Sequence, residues 1–456
     1  MDAAERTRTA TAELMSKVRA KDRFDYDPKE VLPLQVAALN ERFQDRKDKI
    51  KLLGMRARDA GTTEITAIED VVPLLFPHTA YKSYPESFLM DERWDRLTKW
   101  LNTVSPYAIE IDTNGIKDVD DWIARMEAKG VYVSASSGTT GKSAMLPASD
   151  KDMEWSKVDT VGVFSWGSGV EPNQDRMQVG TGAIASVPKN RIIGEAQGAA
   201  FANPEWERWN YPVSPITVGA LTKQIVMRKK IGDGTARPEE IAAFEQTARE
   251  RQEEVETAIP KTADFIIANR DKKLMISGLW KGLYDVAKAV RDKGYSAKDF
   301  NPDNCLYVGG GLKRAQLPAD YQEFVHQTFN IPEGRHFQNY SMQELNSGMP
   351  KCSDEGRYHV PPWIVPIILD KEGDNALPHN YDGEIEGRAA FFDLSLDGRW
   401  GGVITGDKIS VDYRACPHCG NRGTSIKDNI ARFADLEGDD KIGCAGTVDA
   451  YVRGVS

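Results

Sequence analysis

The chain has 456 residues, of which 40% are hydrophobic and 28% are charged, and its formal net charge at pH 7 is −10. This composition is ordinary for a globular protein, and the length predicts one large domain with appendages or two to three domains. The negative charge argues against binding to nucleic acids or to acidic membranes. No segment approaches the roughly 20 apolar residues that span a bilayer. Because the charged first residues also lack a secretory signal, we expect a cytoplasmic protein.

The predicted elements begin with a mainly helical part at residues 1–130. Apolar residues recur at helical spacing in EVLPLQVAALNERF and in DERWDRLTKWLNTV, with the turn-rich stretch FPHTAYKSYPES between them. A short β-prone run, VYVSA at Val131–Ala135, follows this part. It leads directly into a run of small and hydroxyl residues, SSGTTGK at Ser136–Lys142.

The SSGTTGK run is suited to binding a multiply charged oxyanion. Its glycines leave backbone N–H groups accessible, its hydroxyl groups donate hydrogen bonds, and Lys142 adds a positive charge. A Walker A loop needs a glycine where Ser136 stands, and a nucleophile elbow needs Gly-x-Ser-x-Gly, so neither motif fits. The sequence therefore predicts a phosphate-binding loop, with a structural glycine-rich turn as the alternative.

Helices and strands then alternate before a β-rich section. We expect a surface helix at residues 238–259, within a helical insertion near 221–262. The stretch KKLMISGLWKGLYDVAKAVRDKG predicts a further helix that ends at Gly294. CLYVGGG, at Cys305–Gly311, predicts a strand and a second glycine turn, and WIVPIILD, GRAAFFDL and GGVITGD predict later strands. This order favours a mixed α/β fold.

SSGTTGK closely resembles the phosphate loop of the adenylate-forming superfamily, which includes acyl-CoA ligases, luciferases and peptide-synthetase adenylation domains. ASSGTTGK after a short strand is most similar to the branch of phenylacetate-CoA ligases and acyl-protein synthetases. Further motifs follow in the family's order. CLYVGGG resembles the glycine turn beside the adenine and acyl pocket, NYSMQE at Asn339–Glu344 resembles the aromatic-Gly-x-Thr-Glu signature, and ITGD at Ile404–Asp407 matches Thr-Gly-Asp. ARFADLEGDDKIGCAG resembles the hinge segment, so the resemblance covers roughly Val131–Gly446.

The resemblance implies the large N-terminal domain of an adenylate-forming enzyme, with layered β-sheets and helices and a small β-rich subdomain. It implies an adenylate-forming core at residues 131–430 and a hinge-like remnant of the lid at 431–456. Family members usually continue past the hinge with a mobile lid that carries a catalytic lysine. We therefore expect a lid that is truncated, absent or supplied by another chain.

The resemblance also implies a reaction, in which a carboxylate attacks the α-phosphate of ATP, pyrophosphate leaves, and the acyl group passes to an acceptor. A carboxylic acid with a pKa of about 4 is ionised at neutral pH, so the nucleophile needs no general base. Positioning and charge compensation then do the catalysis. CoA is the expected acceptor, with an amine or a protein thiol as the alternative. Aromatic and small residues after the loop suit an aromatic acid and suit a plain hydrophobic core equally well.

The family's residue roles define a predicted nucleotide site. The predicted catalytic residues are Lys142, Glu344 and Arg432, and Glu344 would bind Mg²⁺ beside the α-phosphate. Tyr340 would stack on adenine, and Asp407 would accept hydrogen bonds from the ribose hydroxyls. The predicted ATP-binding residues are Ser136, Ser137, Gly138, Thr139, Thr140, Gly141, Lys142, Gly309, Gly310, Gly311, Asn339, Tyr340, Ser341, Asp407 and Arg432.

Two positions depart from the family's signature, since Ser341 stands where glycine is usual and Gln343 where threonine is usual. Because Glu344 is retained, this departure bears on the shape of the pocket more than on metal binding. A nucleotide sensor without turnover and a zinc-dependent scaffold are the competing hypotheses. A homo-oligomer is also compatible with the sequence.

A second cluster of residues predicts a structural zinc site. ACPHCGNRG contains two cysteines as CxxC, and KCSDEGRYHV adds a cysteine and a histidine. The candidate ligands are Cys352, His359, Cys416 and Cys419. Three thiolates and one imidazole satisfy tetrahedral Zn²⁺, which would staple the β-rich section at 350–425. Unligated thiols are the alternative, and His418 and Cys305 are weaker substitutes as ligands.

Overall fold

The structure is a computed structural model, which describes residues 9–135, 142–310, 312, 315–437 and 442. The chain divides into two compact units. The first unit contains the described residues up to Asp159, then Ser341–Met349 and those from Gly356 onward; the second contains Thr160–Tyr340 and Pro350–Glu355. The mixed α/β class is confirmed. The domain boundaries at residues 130 and 430 stay a prediction.

The helices and strands are as follows. The α-helices are α1 (Ala10–Met15), α2 (Pro28–Arg46), α3 (Lys51–Ala60), α4 (Ser87–Met90), α5 (Trp94–Leu101), α6 (Val119–Glu127), α7 (Asp150–Ser168), α8 (Pro188–Phe201), α9 (Val218–Gly232), α10 (Pro238–Ala268), α11 (Trp280–Asp292), α12 (Tyr321–Phe329) and α13 (Phe433–Glu437). Short 3-10 helices cover Ser16–Arg19, Ile68–Leu74, His78–Lys82 and Ala297–Asp299. The strands are β1 (Phe76–Pro77), β2 (Tyr132–Ala135), β3 (Met145–Ala148), β4 (Met177–Gly180), β5 (Leu274–Gly278), β6 (Cys305–Val308), β7 (His336–Phe337), β8 (Asn339–Tyr340), β9 (Met349–Pro350), β10 (Tyr358–His359), β11 (Ile364–Leu369), β12 (Glu384–Asp393), β13 (Gly402–Asp412), β14 (Ser425–Ile426) and β15 (Ala431–Arg432).

Two predicted helices differ from the observed ones. The helix predicted at 238–259 exists and continues to Ala268, because buried residues such as Ala263 and Ile266 keep the helical spacing. The single helix predicted before Gly294 is wrong, since its first part is strand β5 and only the rest is helix α11. Parallel pairing of β5 with both β4 and β6 accounts for the difference, because a short apolar run takes the conformation that its neighbours complete.

The first unit is built on a seven-stranded, mainly antiparallel sheet with the order β10-β14-β13-β12-β11, and β1 and β15 also pair with β13. In the parallel pair of β1 with β13, Phe76 lies opposite Val403. In the antiparallel pair of β15 with β13, Arg432 lies opposite Asp407. The strand that carries the Thr-Gly-Asp motif is therefore flanked by a segment from the N-terminal part and by the start of the hinge segment.

A two-stranded hairpin in the same unit flanks the predicted phosphate loop. Strands β2 and β3 are antiparallel, and Ala135 lies opposite Met145. Both strands are buried along most of their length. Residues 136–144 connect the two strands, so the predicted loop follows Ala135 and precedes Met145, which lie opposite each other.

The second unit contains a parallel four-stranded sheet with the order β4-β5-β6-β7. Helix α11 packs on this sheet through Trp280, Leu283, Val286 and Val290, which are all buried at helical spacing. Strands β4 and β5 end in glycine, and a glycine directly follows β6. The carboxyl ends of parallel strands are where open α/β sheets bind ligands, and glycines there leave room for a close approach.

Candidate active site

The predicted phosphate loop is described only at its carboxyl end. Residues Ser136–Gly141 lie outside the described residues, as does Gly311. The ammonium of Lys142 donates to the Tyr84 carbonyl oxygen and lies 4.9 Å from the centre of the Tyr84 ring. The Tyr84 hydroxyl donates in turn to the Ser143 carbonyl oxygen at 2.7 Å. Tyr84 therefore fixes Lys142 and Ser143 at the carboxyl end of the predicted loop.

The segment from Phe76 to Tyr84 connects the loop region with the strand of Asp407. Its first residues pair with β13, and the Tyr81 hydroxyl donates to the Trp400 carbonyl oxygen at 3.3 Å. Its last residue, Tyr84, contacts Lys142 and Ser143. No motif in the sequence indicates a role in the site for this segment. Since Lys82 lies between these contacts, the segment brings an additional cation to the site.

A cluster of charged side chains surrounds Glu344 in the first unit. Its members are Lys82, Glu344, Arg399, Asp407 and Arg432. Burial raises the pKa of Glu344, and the charges of Arg399 and Lys82 oppose that shift. Burial also lowers the pKa of Lys82, with Glu344 opposing the change and Arg432 reinforcing it. Three predicted site residues thus lie together, and two cations join them that sequence reasoning missed.

Arg399 fixes the backbone that carries Glu344. Its guanidinium donates to the carbonyl oxygens of Gln343 at 2.9 Å and Glu344 at 3.1 Å. Its other terminal nitrogen donates to the carbonyl oxygen of Pro147 at 2.9 Å. The side chain is buried. A single arginine between glycines in the turn LDGRWGG is the signal that could have identified it.

Buried carboxylates hold the chain just after Glu344. Asp393 accepts from the backbone N–H groups of Asn346 at 2.7 Å and Ser347 at 3.1 Å. Asp159 accepts from the N–H of Gly348 at 3.0 Å. Such charge-assisted bonds are stronger than neutral ones, so the segment that carries Glu344 is preorganised.

Four predicted nucleotide residues, Gly309, Gly310, Asn339 and Tyr340, belong to the second unit, whereas Ser341 belongs to the first. Gly309 and Gly310 directly follow β6, and the N–H of Gly309 donates to the Gly278 carbonyl oxygen at 3.0 Å. Gly310 has φ of 139°, a conformation that favours glycine. Asn339 and Tyr340 follow β7, which is the neighbour of β6 in the sheet. All four residues therefore lie at the carboxyl edge of this sheet.

The predicted zinc ligands form a cluster. His359, on β10, is buried, and its Nε2 lies 3.3 Å from Sγ of Cys419. Hydrogen bonds from His359 and from backbone N–H groups hold the pKa of Cys416 below its usual value, although burial opposes them. With Cys352, these residues form a group whose ligand atoms all lie within 4.8 Å of one another. Three sulfurs and one imidazole nitrogen at this spacing fit Zn²⁺, which binds thiolates and neutral imidazole.

Cys305, predicted as a weaker substitute ligand, does not belong to the group of four. It lies on β6 in the core of the second unit, where its Sγ is 3.7 Å from the Arg176 guanidinium. Burial raises the pKa of this thiol to about 11. His418 is exposed and does not belong to the group of four.

The search for membrane spans covers the part of the chain that the structure describes. Within it, no helix combines the length and the apolar character that crossing a bilayer requires.

The fold is similar to that of 2-hydroxyisobutyryl-CoA ligase. The crystal structure of that enzyme in the postadenylation state, in complex with R3-HIB-AMP, matches with a TM-score of 0.55 and 11% sequence identity over 91% of this chain and 70% of that chain. Its complex with 2-HIB-AMP and CoA in the thioesterification state matches with a TM-score of 0.55 and 13% sequence identity over 90% of this chain and 70% of that chain. An open conformation in complex with 2-HIB-AMP and CoA matches with a TM-score of 0.53 and 11% sequence identity over 91% of this chain and 77% of that chain.

No protein-family model matches the sequence, and a search of curated proteins finds no match. The expected fold, that of the large domain of an adenylate-forming ligase, is confirmed by the structural similarity. The assignment to the phenylacetate-CoA ligase branch stays a prediction.

Proposed function

We propose that the chain is an AMP-forming carboxylate ligase, which converts a small carboxylic acid and ATP to an acyl-adenylate and pyrophosphate and then transfers the acyl group to CoA. The observation that carries the proposal is the cluster of Lys82, Glu344, Asp407 and Arg432, which Arg399 connects to strand β3 of the hairpin. The shared fold supports it, because the similar ligase was crystallised with an acyl-AMP and CoA.

The arrangement suits the electrostatic demands of adenylation. An ionised acid must approach a polyanion, and negative charge then grows on the departing pyrophosphate. Lys82, Lys142 and Arg432 supply fixed positive charge for both events. Glu344 is the proposed ligand for Mg²⁺, whose charge would offset that of the phosphates. A lone carboxylate with phosphate oxygens fits the way Mg²⁺ usually binds nucleotides.

The ribose would be bound by the Thr-Gly-Asp strand of the first unit. Asp407 is an acceptor-only side chain and suits the two ribose hydroxyls. Its backbone N–H donates to Oγ1 of Thr405 at 3.1 Å, which fixes the turn that presents it. Stacking of adenine on Tyr340, which belongs to the second unit, stays a prediction of the sequence.

The group of Cys352, His359, Cys416 and Cys419 is the proposed structural zinc site. Four protein ligands leave no open position, so the ion would stabilise the β-rich section without taking part in the reaction. A homo-oligomer and a cytoplasmic location stay predictions of the sequence.

Acid-dependent exchange of labelled pyrophosphate into ATP tests the function. The protein is incubated with Mg²⁺, ATP and one member of a panel of carboxylic acids, with Lys142→Ala as the inactive control. We expect exchange with at least one acid in the absence of an acceptor, and an acyl-CoA detected by mass spectrometry when CoA is added. Binding of ATP without exchange for every acid would favour the sensor hypothesis. An amide or acylated protein in place of acyl-CoA would identify the alternative acceptors.

A further inference from the structure

We propose that Arg399 is a positioning residue for the nucleotide site, which fixes the Glu344 segment against the hairpin of the phosphate loop. The inference rests on the proposed function, because it gives Arg399 a role at that site. Arg399 itself does not contact the reacting atoms in this scheme.

The Arg399 guanidinium connects two segments of the first unit through hydrogen bonds to backbone carbonyl oxygens. One terminal nitrogen of Arg399 donates to the carbonyl oxygens of Gln343 and Glu344, and the other donates to that of Pro147. Pro147 lies on β3 opposite Val133 on β2, so this bond reaches the hairpin of β2 and β3. A rigid planar group thereby sets the spacing between the backbone of the proposed metal ligand and strand β3.

The turn that carries Arg399 is itself held in place. Gly398 approaches β3 so closely that a Cβ there would lie 2.5 Å from the Cα of Ala148. The N–H groups of Asp397 and Gly398 donate to the buried Asp152 at 2.8 and 2.7 Å. Arg399 therefore projects from a fixed base, as a positioning residue must.

The fork holds the backbone on both sides of the Gln343–Glu344 peptide, and Glu344 is the proposed Mg²⁺ ligand. Residues that orient a metal ligand affect metal affinity without contacting the metal. Loss of the fork should therefore impair the use of Mg·ATP more than the binding of ATP alone.

The substitution Arg399→Lys keeps the charge and removes the fork. The matched control is Arg176→Lys in the second unit, where a similarly buried arginine donates to the Asp303 carbonyl oxygen and pairs with its carboxylate. Calorimetric titration with ATP, with and without Mg²⁺, measures binding independently of activity. Thermal unfolding of both variants reports any general loss of stability.

For Arg399→Lys we expect the gain in ATP affinity that Mg²⁺ provides to fall by about tenfold, with the affinity for ATP alone within about twofold of wild type. Arg176→Lys should retain the full Mg²⁺ effect. An unchanged Mg²⁺ effect in folded Arg399→Lys, or an equal loss in both variants, overturns the proposal.

The experiment separates this proposal from the proposed function. If the wild type binds Mg·ATP and no acid supports exchange, the ligase function fails, and the calorimetric comparison still decides the role of Arg399. If the wild type does not bind ATP, both proposals are overturned.

Discussion

Arg432 and Asp407 face each other on neighbouring strands, with 3.7 Å between Nε of the arginine and Oδ1 of the aspartate. The arginine side chain is 69% exposed and the aspartate side chain 17%. An ion pair with one largely solvated partner contributes about 0–1 kcal/mol to stability. The pair is therefore better suited to contact a ligand than to hold the fold together.

The substitution Asp407→Asn should raise the KM for ATP in the exchange assay by about tenfold, because the proposed charged acceptor of the ribose hydroxyls is replaced by a neutral amide. The thermal midpoint should change little. Glu386→Gln is the control, since it removes an exposed ion pair with Lys408, which directly follows Asp407 on β13. An unchanged KM in Asp407→Asn would remove Asp407 from the nucleotide site.

The substitution Lys82→Met should lower the maximal rate of exchange by about 10²-fold, the loss that follows removal of one preorganised group that stabilises transition-state charge. The apolar stem of the side chain is kept, so the fold should survive. Lys99→Met, at an exposed position of α5, is the control and should leave the rate unchanged. Equal rates for wild type and Lys82→Met would show that the segment from Phe76 to Tyr84 only supports the site.

The pKa of Glu344 predicts a pH dependence of stability. Burial raises this pKa above its ordinary value of 4.5, so between the ordinary and the raised value the folded chain binds more protons than the unfolded chain. Stability then falls as pH rises through that window. Glu344→Gln has no titrating group there, so its free energy of unfolding should exceed that of wild type by an amount that grows with pH.

Urea denaturation of wild type and Glu344→Gln, from about pH 4 to about pH 8, measures this difference. The difference should level off above the raised pKa. A difference that stays constant over the whole range contradicts the proposed desolvation of Glu344.

The zinc proposal predicts one bound metal ion per chain, measured by elemental analysis. Cys416→Ser should lower the zinc content, and both this variant and treatment with a chelator should lower the thermal midpoint, by about 2–4 °C for each kcal/mol lost. Cys305→Ala is the control, because that thiol lies in the core of the second unit and not in the metal group. Stoichiometric zinc that survives Cys416→Ser would mean that the ion is bound elsewhere.

The elements that local sequence determines were predicted well. VYVSA and CLYV form strands β2 and β6 as expected, since β-branched and aromatic residues favour extended backbone next to glycine. The motifs that contain Glu344 and Asp407 could also be found in the sequence, because each is a short run of neighbouring residues. Of the stretch before Gly294, the helix was predicted correctly and the first part wrongly, because pairing with distant strands made Leu274–Gly278 a strand.

Only the tertiary structure revealed Lys82 and Arg399. Lys82 belongs to a segment that reaches the site because Phe76 pairs with Val403, and Arg399 bonds to a carbonyl oxygen 252 positions away in the chain. Neither residue lies in a motif. Strand pairing places Lys82, and Arg399 bonds to backbone carbonyl oxygens, and neither kind of contact has a signature in the sequence. The sequence by itself determined which short runs could bind a nucleotide. Long-range strand pairing and burial decided which charges surround Glu344.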